Sequence, residues 1–195
     1  MRLPYVVAEL LAGIAEGEAV SIDVPMAIAV VDAGGGLQFF KRMDGALPVS
    51  TELAMSKGFT AAVLRMPTHE VGKLAQPGGA LYGIQHTHNG RIILFGGGYP
   101  LCVDGEVVGG IGISGGTVEQ DMHVAEPAVN LLRDVQCWAE EIRGALPARL
   151  AGTAALPILR EKLLHALSGM RPEIPENTIA ALTGGVLLAM SPGRG

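Results

Sequence analysis

The strongest constraint on the fold is a pair of apolar runs joined by Asp104-Gly105. Residues 101–103 precede this dipeptide, and residues 107–113 follow it with only glycines between the aliphatic side chains. A two-residue type I′ turn needs positive φ at both central positions, and Asp-Gly is among the pairs that adopt this conformation readily. The segment therefore predicts an antiparallel hairpin.

Other apolar runs are also separated by turn residues rather than by helical crossovers. Residues 26–31 form an almost continuous apolar run, three glycines follow at 34–36, and residues 37–41 predict the returning strand. Residues 92–95 predict one more strand. Strands joined in this way favour an antiparallel sheet, so we expect an α/β protein of the α+β type with about five strands and helices packed on the sheet.

Helical patterns surround these strands. Residues 3–19 and 50–64 carry apolar side chains at helical spacing, and Pro67 prevents the second helix from running much further. Thr117 and Gln120 match a capping box that opens a long helix, in which Pro127 predicts a kink.

After residue 146 the sequence changes to short helical pieces broken by proline and glycine. We therefore expect a first domain over 1–146 and a helical C-terminal appendage over 147–195. The many apolar residues of the appendage predict that it packs on the domain or on a neighbouring subunit.

Composition excludes several classes of function. A formal charge of -5 and an aromatic content of 4% argue against a nucleic-acid binder. Two cysteines cannot build a disulfide framework, and no run of about 18 apolar residues predicts a membrane span. The start of the chain lacks the pattern of a signal peptide, so we expect a cytoplasmic protein.

Lys57 is the most unusual polar residue, because it lies on the apolar face of helix 50–64. A buried ammonium needs a negative partner, since desolvating it unpaired costs several kcal/mol. We expect Lys57 to be at least half buried and within reach of an acid such as Asp32, Asp44 or Asp121. Such a lysine is either half of a structural ion pair or a functional amine.

Arg42 and Asp44 follow a predicted strand, where ligand contacts are common. Asp121 lies in the first turn of the capped helix, and the N–H groups before that helix suit a carboxylate or phosphate. The candidate catalytic residues are Lys57, Asp121, Arg42 and Asp44. The candidate ligand-binding residues are Arg42, Lys57, Thr60, Gly115, Gly116 and Thr117.

Three motifs in the chain suggest functions that their context does not support. Residues 110–115 spell G-x-G-x-x-G without the strand and acidic residue of a dinucleotide site, and Ser114 lies in a G-x-S-x-G that follows a hairpin strand. We interpret both as a tight strand-to-helix turn. His86 and His88 form a candidate metal set that His69 and His123 could complete, although the context favours polar loop histidines beside Asn89-Gly90.

Several ordered motifs resemble one known family. They are Ala29-Val30-Val31-Asp32-Ala33-Gly34-Gly35, Arg42-Met43-Asp44-Gly45-Ala46, Lys57-Gly58-Phe59-Thr60-Ala61-Ala62, Gly97-Gly98-Tyr99-Pro100, Asp104-Gly105-Glu106-Val107-Val108-Gly109 and the stretch from Ile113 to Asp121. In this order, over about residues 3–135, the chain resembles the GlcG/HbpS family, which is related to the C-terminal domain of PduO. The resemblance implies a compact domain with an antiparallel sheet, assembly into homo-oligomers, and haem or corrinoid handling in some members.

Two classes of function follow as expectations. The first is a small-molecule-binding protein whose ligand is anionic, either a haem or corrinoid or a small organic acid, with haem a possible cofactor. The second is a cofactor-independent lyase, isomerase or cyclase, in which Lys57 or Asp121 moves a proton while Arg42 and backbone N–H groups hold a developing oxyanion. A third interpretation treats the chain as an assembly module whose polar core only specifies packing.

Overall fold

A four-stranded antiparallel sheet with helices on both faces forms the centre of the protein. The computed structural model describes residues 3–145, 151–167, 179–180 and 183. The strands are β1 (Ala27–Asp32), β2 (Leu37–Arg42), β3 (Gly98–Val103) and β4 (Glu106–Ser114). The helices are α1 (Tyr5–Ser21), α2 (Ser50–Leu64), α3 (Thr68–Leu74), α4 (Val118–Ala145) and α5 (Ala151–Leu167).

The strand order is β2-β1-β4-β3, and every neighbouring pair is antiparallel. Ala27 of β1 lies opposite Arg42 of β2 on one side and Ser114 of β4 on the other. The turn between β3 and β4 has φ of 52° at Asp104 and 73° at Gly105. The predicted hairpin and the α+β fold class are therefore confirmed.

The sheet has four strands rather than five, because the predicted strand at residues 92–95 does not form. The N–H of Ile93 donates to Oγ1 of Thr60 at 3.0 Å, so a side chain takes the place of a neighbouring strand. Ile92 is buried in a small apolar cluster with Phe59 and Val71. The apolar run at 92–95 thus covers helix α2 instead of extending the sheet.

The main hydrophobic core fills one face of the sheet. Ile28 and Val30 of β1 and Ile111 and Ile113 of β4 point to this face, and helices α1 and α4 cover it. Residues at alternate positions of a strand share a face, so these four positions follow directly from the strand assignment. Helix α5 packs on α4 and contributes buried side chains to the same core, which are Ala155, Leu159 and Leu163.

Glycines let helix α2 lie directly on the other face of the sheet. A Cβ added to Gly112 would lie 2.0 Å from the carbonyl oxygen of Ala54, and one added to Gly110 would lie 2.4 Å from that of Gly58. These distances are far shorter than any van der Waals contact. The glycines of the G-x-G-x-x-G stretch therefore serve close packing between helix and strand, in agreement with the structural interpretation of that motif.

The start of α4 is closed by the predicted capping box. The N–H of Gln120 donates to Oγ1 of Thr117 at 3.3 Å, and the N–H of Thr117 donates to Oε1 of Gln120 at 2.9 Å. The helix then continues through Pro127 to Ala145. Within the described residues, no helix combines the length and the apolarity needed to cross a bilayer.

Candidate functional site

Lys57 lies where helix α2 passes over the end of β4. Its side chain is fully buried, with 0% exposed, and Nζ donates to Oδ2 of Asp121 at 2.5 Å and to the carbonyl oxygen of Ile113 at 2.8 Å. The predicted burial of Lys57 and the predicted carboxylate partner are therefore confirmed. Of the acids named from the sequence, Asp121 is the partner.

Asp121 lies in the first turn of α4 and is buried as well. Its Oδ1 accepts a hydrogen bond from the N–H of Gly116 at 3.0 Å, while Oδ2 faces Lys57. Negative charge at a helix N-terminus is favourable, because the unpaired N–H groups there carry partial positive charge. Lys57 and Asp121 thus form a buried ion pair in which each charged group has a second, backbone partner.

The segment from Phe95 to Gly98 covers this ion pair. The ring of Phe95 lies over the ammonium of Lys57, with 5.0 Å from Nζ to the ring centroid, and its side chain is 40% exposed. Gly97 has φ of 105°, and a Cβ there would lie 2.8 Å from Nζ of Lys57 and 2.9 Å from Cβ of Asp121. Only a glycine at position 97 allows the chain to pass this close, so the segment seals the pair from solvent.

Burial dominates the titration of both members of the pair. Desolvation lowers the pKa of Lys57, and the charge of Asp121 opposes this shift. Desolvation also raises the pKa of Asp121, against the opposing effects of Lys57 and of the neighbouring backbone N–H groups. The two directions bring the pKa values of the acid and the amine closer together, and perturbed values of this kind occur at functional sites as well as in structural ion pairs.

The structure places the other predicted catalytic residues away from this pair. Arg42 and Asp44 are exposed at the end of β2, and Nη2 of Arg42 donates to the carbonyl oxygen of Ala46 at 2.7 Å. Strand β1 separates β2 from β4, so roughly 10 Å, or two strand spacings, lies between Arg42 and Ser114 across the sheet. Arg42 and Asp44 therefore form a separate surface group.

The predicted ligand-binding groups already have partners within the chain. Thr60 is fully buried, and its Oγ1 contacts the carbonyl oxygens of Ser56 and Arg91 and accepts from the N–H of Ile93. The N–H groups of Gly116 and Thr117 donate to Asp121 and Gln120. An external anion at the start of α4 would therefore have to displace side chains of the protein itself.

The histidines named from the sequence as a metal set are dispersed. His86 and His88 lie in short 3-10 turns at Ile84–His86 and His88–Gly90, which agrees with the interpretation of both as loop histidines. The ring of His88 contacts Phe59, and Nε2 of His123 lies 2.8 Å from a carboxylate oxygen of Glu18. The described residues contain no group of three or more histidine, cysteine or acidic side chains that could hold a metal ion.

Sequence reasoning offered His69 only as a further member of the histidine metal set and gave it no role of its own. Its Nε2 lies 3.2 Å from Oε1 of Glu70, and its ring packs against Tyr99, with 5.8 Å between ring centroids. Its other ring nitrogen, Nδ1, is buried and has no hydrogen-bond partner. The signal in the sequence was weak, because His69 follows Pro67 at a helix start and has no other metal ligand at a diagnostic spacing.

His69 and Tyr99 lie beside the segment that covers the ion pair. Oγ1 of Thr68 accepts a hydrogen bond from the N–H of Gly98 at 3.1 Å, which joins the start of α3 to the start of β3. Burial raises the pKa of Tyr99, and the negative charge of Glu126 adds to this effect. We call His69 and Tyr99, together with Phe95, which lies four residues before Tyr99 in the chain and covers Lys57, the β3-edge cluster.

The chain is similar to known proteins of different lengths, and the match covers most of one relative but only a minor part of another. A 15.0 kDa protein of Citrobacter freundii, encoded in the dhaT-dhaS intergenic region, is 43% identical over 128 residues, which cover 66% of this chain and 90% of that protein. The corrinoid adenosyltransferase PduO of Salmonella typhimurium is 47% identical over 108 residues. These residues are 55% of this chain but only 32% of PduO, so the matching part of the chain spans about a third of that enzyme.

A solved structure and a family model agree with these relationships. The crystal structure of a PduOC:heme complex superposes with a TM-score of 0.64 at 42% identity, covering 67% of this chain and 94% of the other. The family model described as "Haem degrading protein HbpS-like" matches residues 3–130. On this match and on the shared fold, the chain belongs to the HbpS-like family.

Proposed function

We propose that this protein binds a small molecule of the haem class at the β3-edge cluster, with His69 as the residue that would ligate the iron. The observation that carries the proposal is the buried Nδ1 of His69, a ring nitrogen without a hydrogen-bond partner. Buried polar atoms without partners are rare, and each one calls for an explanation such as an absent ligand. The iron of a bound haem would supply that missing partner.

The family relationship supports the choice of haem. One relative was crystallised as a complex with haem, and the family description refers to haem degradation. A shared fold does not by itself transfer a function, so the chain's own residues must fit the ligand.

The environment of His69 fits an iron ligand. Metal-binding histidines usually donate their second ring N–H to a carboxylate or carbonyl oxygen, which fixes the tautomer and leaves the other nitrogen with a free lone pair. The contact between Nε2 and Glu70 is of this type. Lys73, four residues after His69 on α3, is exposed and pairs with Glu70 at 2.7 Å, so a carboxylate of the ligand would bind Lys73 by taking the place of Glu70.

The aromatic side chains of the cluster would hold the body of a flat ligand. Phe95 is partly exposed, and Tyr99 packs at the edge of the main core. The Lys57–Asp121 pair lies directly beneath Phe95, so in this proposal it supports the ring position rather than contacting the ligand. When bound, haem would supply an iron centre capable of redox chemistry.

Titration with haemin tests the proposal. The purified protein should develop a saturable Soret band, and His69→Ala should weaken binding by at least about tenfold through loss of the iron ligand. His88→Ala is the matched control, because His88 is an exposed histidine that also contacts an aromatic ring. Absence of a Soret change in the wild type, or equal binding by wild type and His69→Ala, would refute the assignment.

A corrinoid or a small organic acid is the alternative ligand. Cobalamin or acetate can be added to the haemin titration as a representative of each alternative. The one that binds at the same site should compete with haemin. The lyase, isomerase or cyclase alternative gains no support from the relatives reported above. It stays a prediction that depends on the Lys57–Asp121 pair.

A further inference from the structure

A groove opens between α4 and α5, far along the chain from the Lys57–Asp121 pair and the β3-edge cluster. Its volume is about 820 Å³, and it is lined by Trp138, Ile158, Glu161, Lys162, Leu164, His165 and Ala166. We call it the α5 groove. All of these residues follow residue 130, where the match to the family ends. The groove is therefore a feature of this chain outside the family domain.

The walls of the α5 groove are mainly apolar. Ile158 is 40% exposed and Leu164 is 38% exposed, although other aliphatic residues of the same helix are fully buried. Trp138 is half-buried and provides a flat wall on the α4 side. Small-molecule sites have volumes of roughly 300–1,000 Å³ and consist of apolar walls with a few polar groups. The α5 groove meets both criteria.

Lys162 gives the groove a cationic group that a ligand can reach. Its Nζ lies 2.6 Å from Oε2 of Glu141, and the two side chains are 38% and 67% exposed. An exposed ion pair of this kind contributes little to stability, because both charges are well solvated. A ligand anion can therefore replace Glu141 at small cost while its apolar part covers Ile158 and Leu164.

We propose that the α5 groove is a second binding site, which takes a small amphipathic molecule with an apolar body and a carboxylate. The apolar body packs between Trp138 and the exposed aliphatic residues of α5. The carboxylate pairs with Lys162. This site is separate from the β3-edge cluster and does not depend on haem binding.

The fluorescence of Trp138 provides a direct measurement, since it is the only tryptophan in the sequence. Octanoate is the probe, and 1-octanol is the uncharged comparison. We expect a saturable change in Trp138 emission with octanoate. Leu164→Asp should weaken octanoate binding about tenfold or more, because it places a like charge in an apolar wall. Lys162→Met should weaken octanoate about fivefold and leave 1-octanol unchanged.

Leu156→Asp is the matched control, because Leu156 is 40% exposed on the same helix and does not line the groove. It should bind octanoate like the wild type. If Leu164→Asp loses its helical circular dichroism, Ile158→Asp replaces it. A non-saturable emission change overturns the proposal, and so does equal weakening by Leu156→Asp and Leu164→Asp. Light scattering that shows a dimer broken by Leu164→Asp, without an octanoate effect, overturns it in favour of a protein interface.

Discussion

At the scale of single residues, the buried pair of Lys57 and Asp121 has the largest energetic consequence. Both charges are removed from water. The desolvation cost is offset by the 2.5 Å contact between the two charges and by hydrogen bonds to the carbonyl oxygen of Ile113 and from the N–H of Gly116. A buried pair often adds little net stability compared with an apolar pair of similar volume. Removing one partner is different, because it leaves the other charge buried and unpaired.

Lys57→Met should therefore lower the free energy of unfolding by about 3–5 kcal/mol at neutral pH. The double variant Lys57→Met/Asp121→Asn should recover much of this loss, since Asn can still accept from the N–H of Gly116. Urea denaturation followed by circular dichroism measures both. Lys73→Met, which removes an exposed lysine that also pairs with an acid, should leave the unfolding free energy nearly unchanged. A Lys57→Met protein as stable as the wild type would show that the pair is not structural and would favour a functional amine.

The sequence predicted a buried Lys57 with a carboxylate partner, because a lysine on an apolar helix face needs one, but it left Asp121 as one of three candidate partners. It could not identify the β3-edge cluster, since His69 and Tyr99 are thirty residues apart and meet only through tertiary structure, in which the Thr68–Gly98 hydrogen bond joins α3 to β3. It also predicted an open anion site at residues 115–117. The side chains of Asp121 and Gln120 occupy those N–H groups, a local competition that residue patterns do not reveal.

At the scale of secondary-structure elements, the contact between α2 and β4 determines how the site is built. The helix lies on a strand whose facing residues are glycines, so backbone meets backbone over Gly110 and Gly112. The strand pattern and both hairpins were predictable from local sequence. The segment 92–95 was not, because its apolar residues satisfy a strand pattern equally well whether they pair with a strand or cover a helix.

Gly112→Ala should destabilise the protein by about 3 kcal/mol or more, at the upper end of the effects of overpacking. The added Cβ would lie 2.0 Å from a backbone oxygen of α2, and backbone cannot move aside as a side chain can. Gly17→Ala in α1 is the control, because nothing lies within 4 Å of its Cβ, and it should stabilise the helix by about 0.5–1 kcal/mol. Thermal unfolding of the two variants measures the contrast, and equal stability of Gly112→Ala and wild type would contradict the close packing.

At the scale of the whole molecule, the packing of α5 against the rest of the chain determines whether the protein unfolds in one cooperative transition or in two. The sequence predicted a boundary near residue 146, which stays a prediction. Helix α5 contributes Leu159 and Leu163 to the main core, which it shares with α1 and α4. An apolar core that continues across a proposed boundary favours one unfolding transition.

Leu159→Ala should therefore lower the midpoint of the main unfolding transition, at a cost of about 2–5 kcal/mol for a fully buried leucine. Leu156→Ala, on the exposed side of the same helix, should have a much smaller effect. Calorimetry measures both, and hydrogen exchange should show protected amides in α5. If Leu159→Ala left the main transition in place and shifted only a second, separate one, residues 147–195 would be an independent appendage.

The direct contact of α2 with the glycines of β4 also determines which positions near Lys57 can change in evolution. Because α2 and β4 meet backbone to backbone, Gly110 and Gly112 have no side chain to shorten and no room for a larger one. The helix–strand contact beneath Lys57 therefore tolerates few substitutions. Gly96, Gly97 and Gly98 of the segment that covers Lys57 are buried, and a Cβ on Gly97 would lie 2.8 Å from Nζ of Lys57, so these positions are as restricted as Gly110 and Gly112. Phe95 is 40% exposed, and natural variants of this protein should therefore differ at position 95 before they differ at the glycines.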